Sequence, residues 1–230
     1  MLPAIAAAVI FILVFLLSSL FAQARRVDGQ LFSVSGEADI ADAAGGEAVD
    51  SENVTGSITT DMDIDSGSKR YIFVGDSRYV GMKKFAQPDD VFIAEVGEGY
   101  YFLMSNMNKI LEYIDKNSIL IVGLGVNDYA SNYKNYIKTM NELADTLDCR
   151  VYYMLINPVE EDKEALYGYS TSNEMIDKYN ALMKAGFSSK VGVIDTNTYL
   201  KEDGFYTSDG LHYDDNTYKK VYNFLKSNAT

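Results

Sequence analysis

His212 is the only histidine in the 230-residue chain, and it lies in TSDGLHYDDNTY with Asp209 three residues before it. An imidazole exchanges a proton near neutral pH, and one short turn is enough to set the Asp209 carboxylate against it. The segment YIFVGDSRYVG supplies a serine hydroxyl at Ser77, and GLGVNDY supplies a side-chain amide donor at Asn127. A hydroxyl, a base with its carboxylate and an amide donor are the materials of nucleophilic catalysis, provided the fold brings them together. Each also has a plain structural use. Gly-Asp-Ser is a common turn in which Asp76 or Ser77 caps a helix, Asn127 suits an Asx turn, and a lone histidine often packs in a core.

Whether these groups meet depends on the elements that carry them. From Lys69 onward, short apolar runs alternate with helical patterns. YIFVG (71–75), VFIAEV (91–96), SILIVGLG (118–125), RVYYMLI (150–156) and VGVID (191–195) are nearly continuous in apolarity, as strands covered on both faces should be. Helical spacing fills 102–116, 133–147, 172–186 and 214–227; in the last of these Tyr218, Val221, Tyr222 and Leu225 follow i, i+3, i+4, i+7. The alternation predicts an α/β fold: a three-layer αβα, flavodoxin-like domain with a parallel, mainly five-stranded sheet and right-handed crossovers. Ligands of such sheets lie beyond the carboxyl ends of the strands. Ser77 follows the first strand, Gly97 and Gly99 in EVGEGYYF follow the second, Asn127 follows the third, and DGLHYD lies between the fifth strand and the last helix.

With its G-D-S, G-x-N-D and D-x-x-H blocks in this order, the sequence resembles the SGNH hydrolases, a branch of the GDSL esterases and lipases. The resemblance spans about Tyr71 to Lys226. It implies a serine esterase in which Ser77 is the nucleophile, His212 the base and Asp209 its acid partner. The oxyanion would be met by the Ser77 and Gly97 backbone N–H groups and the Asn127 amide. Gly97 follows its strand as the family glycine does, and Gly99 lies close enough to be the match instead. Arg78 departs from the Leu that the family name implies, a change expected to bear on subfamily and substrate more than on activity. An O-acyltransferase on a surface glycan would use the same triad, and a non-catalytic binding module would use the same fold. Tyr100, Tyr101, Tyr129 and Tyr213 stand beside the motifs, and with Gly99 they are candidate substrate contacts, the tyrosines stacking on sugar rings. With 18 tyrosines in the chain, proximity in sequence is a weak signal.

Composition narrows the partners. Twenty Lys and Arg against 33 Asp and Glu give a net charge of -13, the wrong sign for a nucleic-acid binder. The single histidine and single cysteine show no metal-ligand spacing, so no metal and no cofactor is expected. Asp128, Asp214 and Asp215 read as helix N-caps and first-turn acids. Cys149, lacking a second cysteine, reads as a small buried group at a strand entrance. Residues 1–24 contain an uncharged apolar run, Leu2 to Ala22, about as long as the ~20 residues of a bilayer-crossing helix. It reads as a membrane anchor or a signal peptide, although Arg25 and Arg26 just after it would favour a cytoplasmic C-terminus for a retained helix. Residues 25–68 read as a disordered acidic tether, leaving 69–230 as the catalytic domain. The expected setting is extracytoplasmic, membrane-anchored or secreted, with an acylated small molecule or carbohydrate as substrate.

Overall fold

The computed structural model describes residues 69–230; the expected anchor and tether lie outside the described residues. Five strands form one parallel sheet: β1 (Arg70–Gly75), β2 (Val91–Ala94), β3 (Ser118–Gly123), β4 (Arg150–Met154) and β5 (Val191–Ile194), in the order β2-β1-β3-β4-β5. That is the flavodoxin-like order, whose switch point lies between β1 and β3, and it matches the expected architecture. All six residues of β3 and the last five of β1 are buried. Each aliphatic side chain so removed from water is worth about 2 kcal/mol, which is why these two strands carry uninterrupted apolar runs. The edge strands β2 and β5 are only partly covered.

The helices are α1 (Ser77–Met82), α2 (Tyr100–Ser105), α3 (Met107–Leu111), α4 (Tyr129–Thr146), α5 (Glu161–Leu166), α6 (Asn173–Gly186), α7 (Thr196–Asp203) and α8 (Asp215–Asn228). One core gathers Leu103, Ile110, Tyr136, Met140, Ile176 and Met183 from α2, α3, α4 and α6 against one sheet face. The other gathers Tyr79, Met82, Leu200, Val221, Tyr222 and Leu225 from α1, α7 and α8. The helix expected over 102–116 is two short helices. Asn106 takes a ψ of 7° and turns its side-chain amide back to the Phe102 carbonyl at 3.0 Å, the competition with helical bonding expected of this residue type. Two helices fall outside the expected set. In α7 only Leu200 is a buried large apolar side chain, and its signals are the Asp195 cap and Gly204 just past its end. The sequence of α5, EDKEAL, has almost no apolar stripe.

β1 ends with its apolar run at Gly75, whereas β2 to β5 stop one or two residues before theirs, and the residues beyond the strands form the carboxyl-end loops that matter for the site. Tight packing there depends on two paired glycines. Gly75 and Gly123 are register partners on β1 and β3, and a Cβ on either would stand 2.2 Å from the Tyr79 ring. The ring lies directly across both strand ends, which lets α1 begin immediately after β1 with Ser77 at its first position. Gly123→Ala therefore overpacks this contact and should lower stability by about 1–3 kcal/mol in a urea unfolding series. An unchanged midpoint would mean that Tyr79 is not held against the sheet.

Candidate active site

Ser77 opens α1 and is 8% exposed. Of the two candidate caps, Asp76 takes the role: its carboxylate accepts the Arg78 N–H at 2.9 Å. The Ser77 hydroxyl is thereby left for another partner, and it meets His212 Nε2 at 2.9 Å. On the far side of the ring, Nδ1 lies 2.7 Å from Asp209 Oδ2. With Nδ1–H donated to the carboxylate, Nε2 presents its lone pair to the serine O–H, the arrangement required of a base. Asp209 also accepts the backbone N–H of His212 at 2.7 Å and of Leu211 at 3.0 Å. Partial burial pushes the Asp209 carboxyl up, but these hydrogen bonds outweigh it and hold the group below its ordinary value. It stays ionised wherever the imidazole needs its charge stabilised.

Asn127 and the glycine loop come together on a neighbouring edge. The Asn127 amide donates to the Glu98 carbonyl at 2.8 Å, between the two candidate glycines. An amide has two N–H donors, so one remains beyond this contact. Among the described residues, no hydrogen bond joins Asn127 to Ser77, His212 or Asp209. Gly97 has φ +79° and no atom near where a Cβ would stand. Gly99 is needed for a different reason: a Cβ there would lie 2.5 Å from Asp128 Oδ2.

Asp128 departs from expectation. It sits at the N-cap position of α4 but makes no capping bond with its side chain. Its carboxylate instead accepts the Tyr100 N–H at 2.7 Å, the Asn132 amide at 3.0 Å and the Tyr136 hydroxyl at 3.0 Å. It clamps the start of α2, and with it the glycine loop, onto α4. Asp214 does cap α8, accepting the Thr217 N–H, and Asp215 lies in the first turn.

The expected tyrosine contacts are also revised. Tyr213 is 4% exposed, and its hydroxyl donates to the Pro158 carbonyl, so it is a packing residue closed to substrate. The Tyr100 hydroxyl is bonded to Thr139 at 2.9 Å, and its ring edges onto Tyr136; it faces α4. Tyr129 donates to Met175 Sδ at 3.7 Å and edges onto Tyr179, between α4 and α6. Tyr101 is exposed and packs edge-on to Tyr100. The aromatic ring beside the imidazole is Tyr169, with centroids 6.5 Å apart and 41% exposure. Sequence reasoning missed it because the long segment after β4 carries no recognisable motif; its position beyond a strand's carboxyl end was the available signal.

The loop bearing Asp209 and His212 is fastened to α5. Glu160 accepts from the Thr207 N–H and hydroxyl, its own N–H donates to the Gly210 carbonyl at 2.9 Å, and Lys163 donates to the Thr207 carbonyl at 2.8 Å. Away from the site, burial raises the Cys149 thiol to about 11, so it stays a protonated packing group. Among the described residues, no cluster of three or more His, Cys, Asp or Glu side chains has the arrangement of a metal site.

Asp76 is 2% exposed, and burial raises its carboxyl to about 6, opposed by the Arg78 charge and N–H and by His212. The folded protein binds this proton more tightly than the unfolded chain does. The stabilisation this gives is complete below the ordinary carboxylate range and is lost as pH rises through about 6. Asp76→Asn keeps an acceptor for the Arg78 N–H without a charge. Its stability relative to the parent should rise from about pH 4 to about pH 7.5, by up to about 3 kcal/mol. Urea unfolding at both pH values checks this, and a difference independent of pH would contradict it.

No protein-family model matches the chain, and no curated protein does. Solved structures do match. A GDSL-like lipase from Bacteroides thetaiotaomicron aligns at 21% identity and TM-score 0.55 over 69% of this chain and 86% of its own. A member of the lipolytic protein G-D-S-L family from Veillonella parvula aligns at 19% and 0.53, over 70% and 97%. The C-terminal catalytic domain of peptidoglycan O-acetyltransferase A from Streptococcus pneumoniae aligns at 17% and 0.52, over 70% and 92%. From Arg70 to the C-terminus, then, this chain has the fold of the SGNH, or GDSL-type, hydrolases.

Proposed function

We propose that this domain is a serine esterase that removes small acyl groups, acetyl above all, from hydroxyls of a cell-envelope carbohydrate. The observation that carries the reading is the continuous line from Ser77 Oγ to His212 Nε2 and from His212 Nδ1 to Asp209. His212 takes the hydroxyl proton as Ser77 attacks the ester carbonyl. It returns that proton to the alcohol oxygen as the bond to the alcohol breaks, leaving an acyl-serine. Water then attacks the acyl carbon with His212 again as base, releasing the acid and the free serine. The Ser77 and Gly97 N–H groups and the second N–H of Asn127 are the donors for the developing oxyanion; the open surroundings of Gly97 support it over Gly99, which is packed on Asp128.

The substrate half of the reading rests on three features. The leaving alcohol departs on the histidine side, where Tyr169 offers an exposed ring, with Tyr167 and Leu166 exposed on the same segment. An amphipathic aromatic face of this kind suits a sugar ring. The apolar run from Leu2 to Ala22 and the acidic stretch after it support an extracytoplasmic site of action at a membrane, anchored or secreted. One protein of the same fold is a peptidoglycan O-acetyltransferase. In a transferase, a glycan hydroxyl replaces water at the acyl-serine, and the same groups serve.

Acetate release from p-nitrophenyl acetate and from an O-acetylated glycan tests both halves. Asn127→Ala should lose roughly 10²–10³ in kcat on both esters while remaining folded; wild-type rates would remove the oxyanion assignment. Tyr169→Ala should lose about tenfold in kcat/KM on the glycan ester and little on the aryl ester. A normal aryl-acetate burst with no release from the glycan would remove the carbohydrate reading. Acetyl groups appearing on an added glycan acceptor, in place of free acetate, would make the protein the transferase.

A further inference from the structure

Arg78, expected from the sequence to bear on substrate, does not face it. The side chain is 4% exposed and turned inward from the first turn of α1. Its Nε donates to the Leu211 carbonyl at 3.2 Å, one Nη to the Asn157 carbonyl at 3.0 Å and the other to the Pro158 carbonyl at 3.4 Å. The guanidinium carbon lies 5.1 Å from the centre of the Tyr213 ring, and the Tyr213 hydroxyl donates to the same Pro158 carbonyl. Leu211 and Tyr213 are the two neighbours of His212 in the chain. The residue after the nucleophile thus grips the base from both sides, through one carbonyl and one ring.

We propose that Arg78 is a positioning residue of the triad, holding the loop that carries His212 in register with the helix that carries Ser77. Among the described residues, and apart from the Ser77–His212 contact itself, the loop's other hydrogen bonds do not do this. Asp209 and the Ser208 N–H bond to His212 from within the loop itself. Glu160 and Lys163 tie it to α5. Arg78 connects it to α1, and the same guanidinium fixes the segment after β4 on which α5 stands. A buried cation is costly to desolvate, and an apolar side chain of similar volume would fill the space without that cost. What a guanidinium adds is a planar fork of directed donors, which suits three carbonyls on two separate loops. Lysine has the charge but not the fork.

The consequence is kinetic. A misplacement of about 1 Å between nucleophile and base costs on the order of 10²-fold in rate, without altering how substrate is held. The kinetic part of this inference rests on the esterase reading above, but its geometric part has its own readout. Because His212 is the only histidine, its hydrogen-bonded Nδ1–H gives a single, self-assigned downfield proton resonance. The experiment compares wild type, Arg78→Leu and Arg78→Lys by that resonance, by thermal unfolding, and by kcat and KM on p-nitrophenyl acetate. Folded variants should show a shifted or broadened imidazole signal and about a 100-fold lower kcat, with KM changed less than twofold. Arg78→Lys should recover less than a tenth of the wild-type rate. If Arg78→Leu does not fold, Arg78→Lys, which keeps the charge and much of the volume, decides alone. A folded variant with an unchanged imidazole signal and wild-type kcat overturns the proposal. So does a loss confined to KM, or one matching the fraction unfolded. A wild type that turns over no ester at all would remove the esterase reading instead, and the resonance comparison would still decide the role of Arg78.

Discussion

The hydrogen bond between Ser77 and His212 joins side chains 135 residues apart, and much of the domain exists in a form that keeps them 2.9 Å from one another. One partner stands at the start of a helix, the other in a loop with no regular structure beyond a single bridge between Thr207 and Tyr213. The helix is placed by the sheet: Tyr79 lies across the glycines that end β1 and β3, so α1 cannot shift along the sheet without a clash. The loop is placed by polar contacts to α5 and α1 and by Leu211 and Tyr213, which join the two apolar cores. Apolar packing alone fixes one half of the pair, and packing together with a network of carbonyls, carboxylates and one guanidinium fixes the other.

The carboxylates near this contact are separated by environment. Asp209 accepts three hydrogen bonds from its own loop and is held below its ordinary value, an anion next to the imidazole. Asp76, one residue before Ser77, is buried and raised to about 6, its charge opposed by desolvation and favoured by Arg78. Asp128 is spent on neither helix capping nor the triad but on fixing the glycine loop through Tyr100. Three aspartates within one site therefore serve as orienting anion, helix cap and loop clamp, and only the surroundings distinguish them.

Much of this was legible in the sequence, for definite reasons. Central strands buried on both faces leave uninterrupted apolar runs, so β1, β3 and β4 could be read directly. The rule that ligands lie past strand carboxyl ends then directed attention to Ser77, Asn127 and Gly97, and the Asp209-to-His212 spacing is short enough to be local. The segment after β4 resisted reading. EDKEAL looks like a solvated run, yet Glu164 within it is 1% exposed and accepts the Thr171 N–H. Arg78 looks like a surface residue by type, and its burial follows only from two loops distant in sequence closing over it. Tyr169 reaches His212 because that loop folds back. Hydrogen bonds between loops leave no period in the chain, and so no periodicity argument finds them.

In the proposed reaction Ser77 is an activated nucleophile, made so by His212 and Asp209. Intact-mass measurement after reaction with a serine-directed fluorophosphonate reads that activation. One covalent adduct, mapped to Ser77, is expected on the wild-type protein and none on folded Ser77→Ala or His212→Ala. A folded wild type that takes no adduct, or one that is equally labelled after Ser77→Ala, would contradict it.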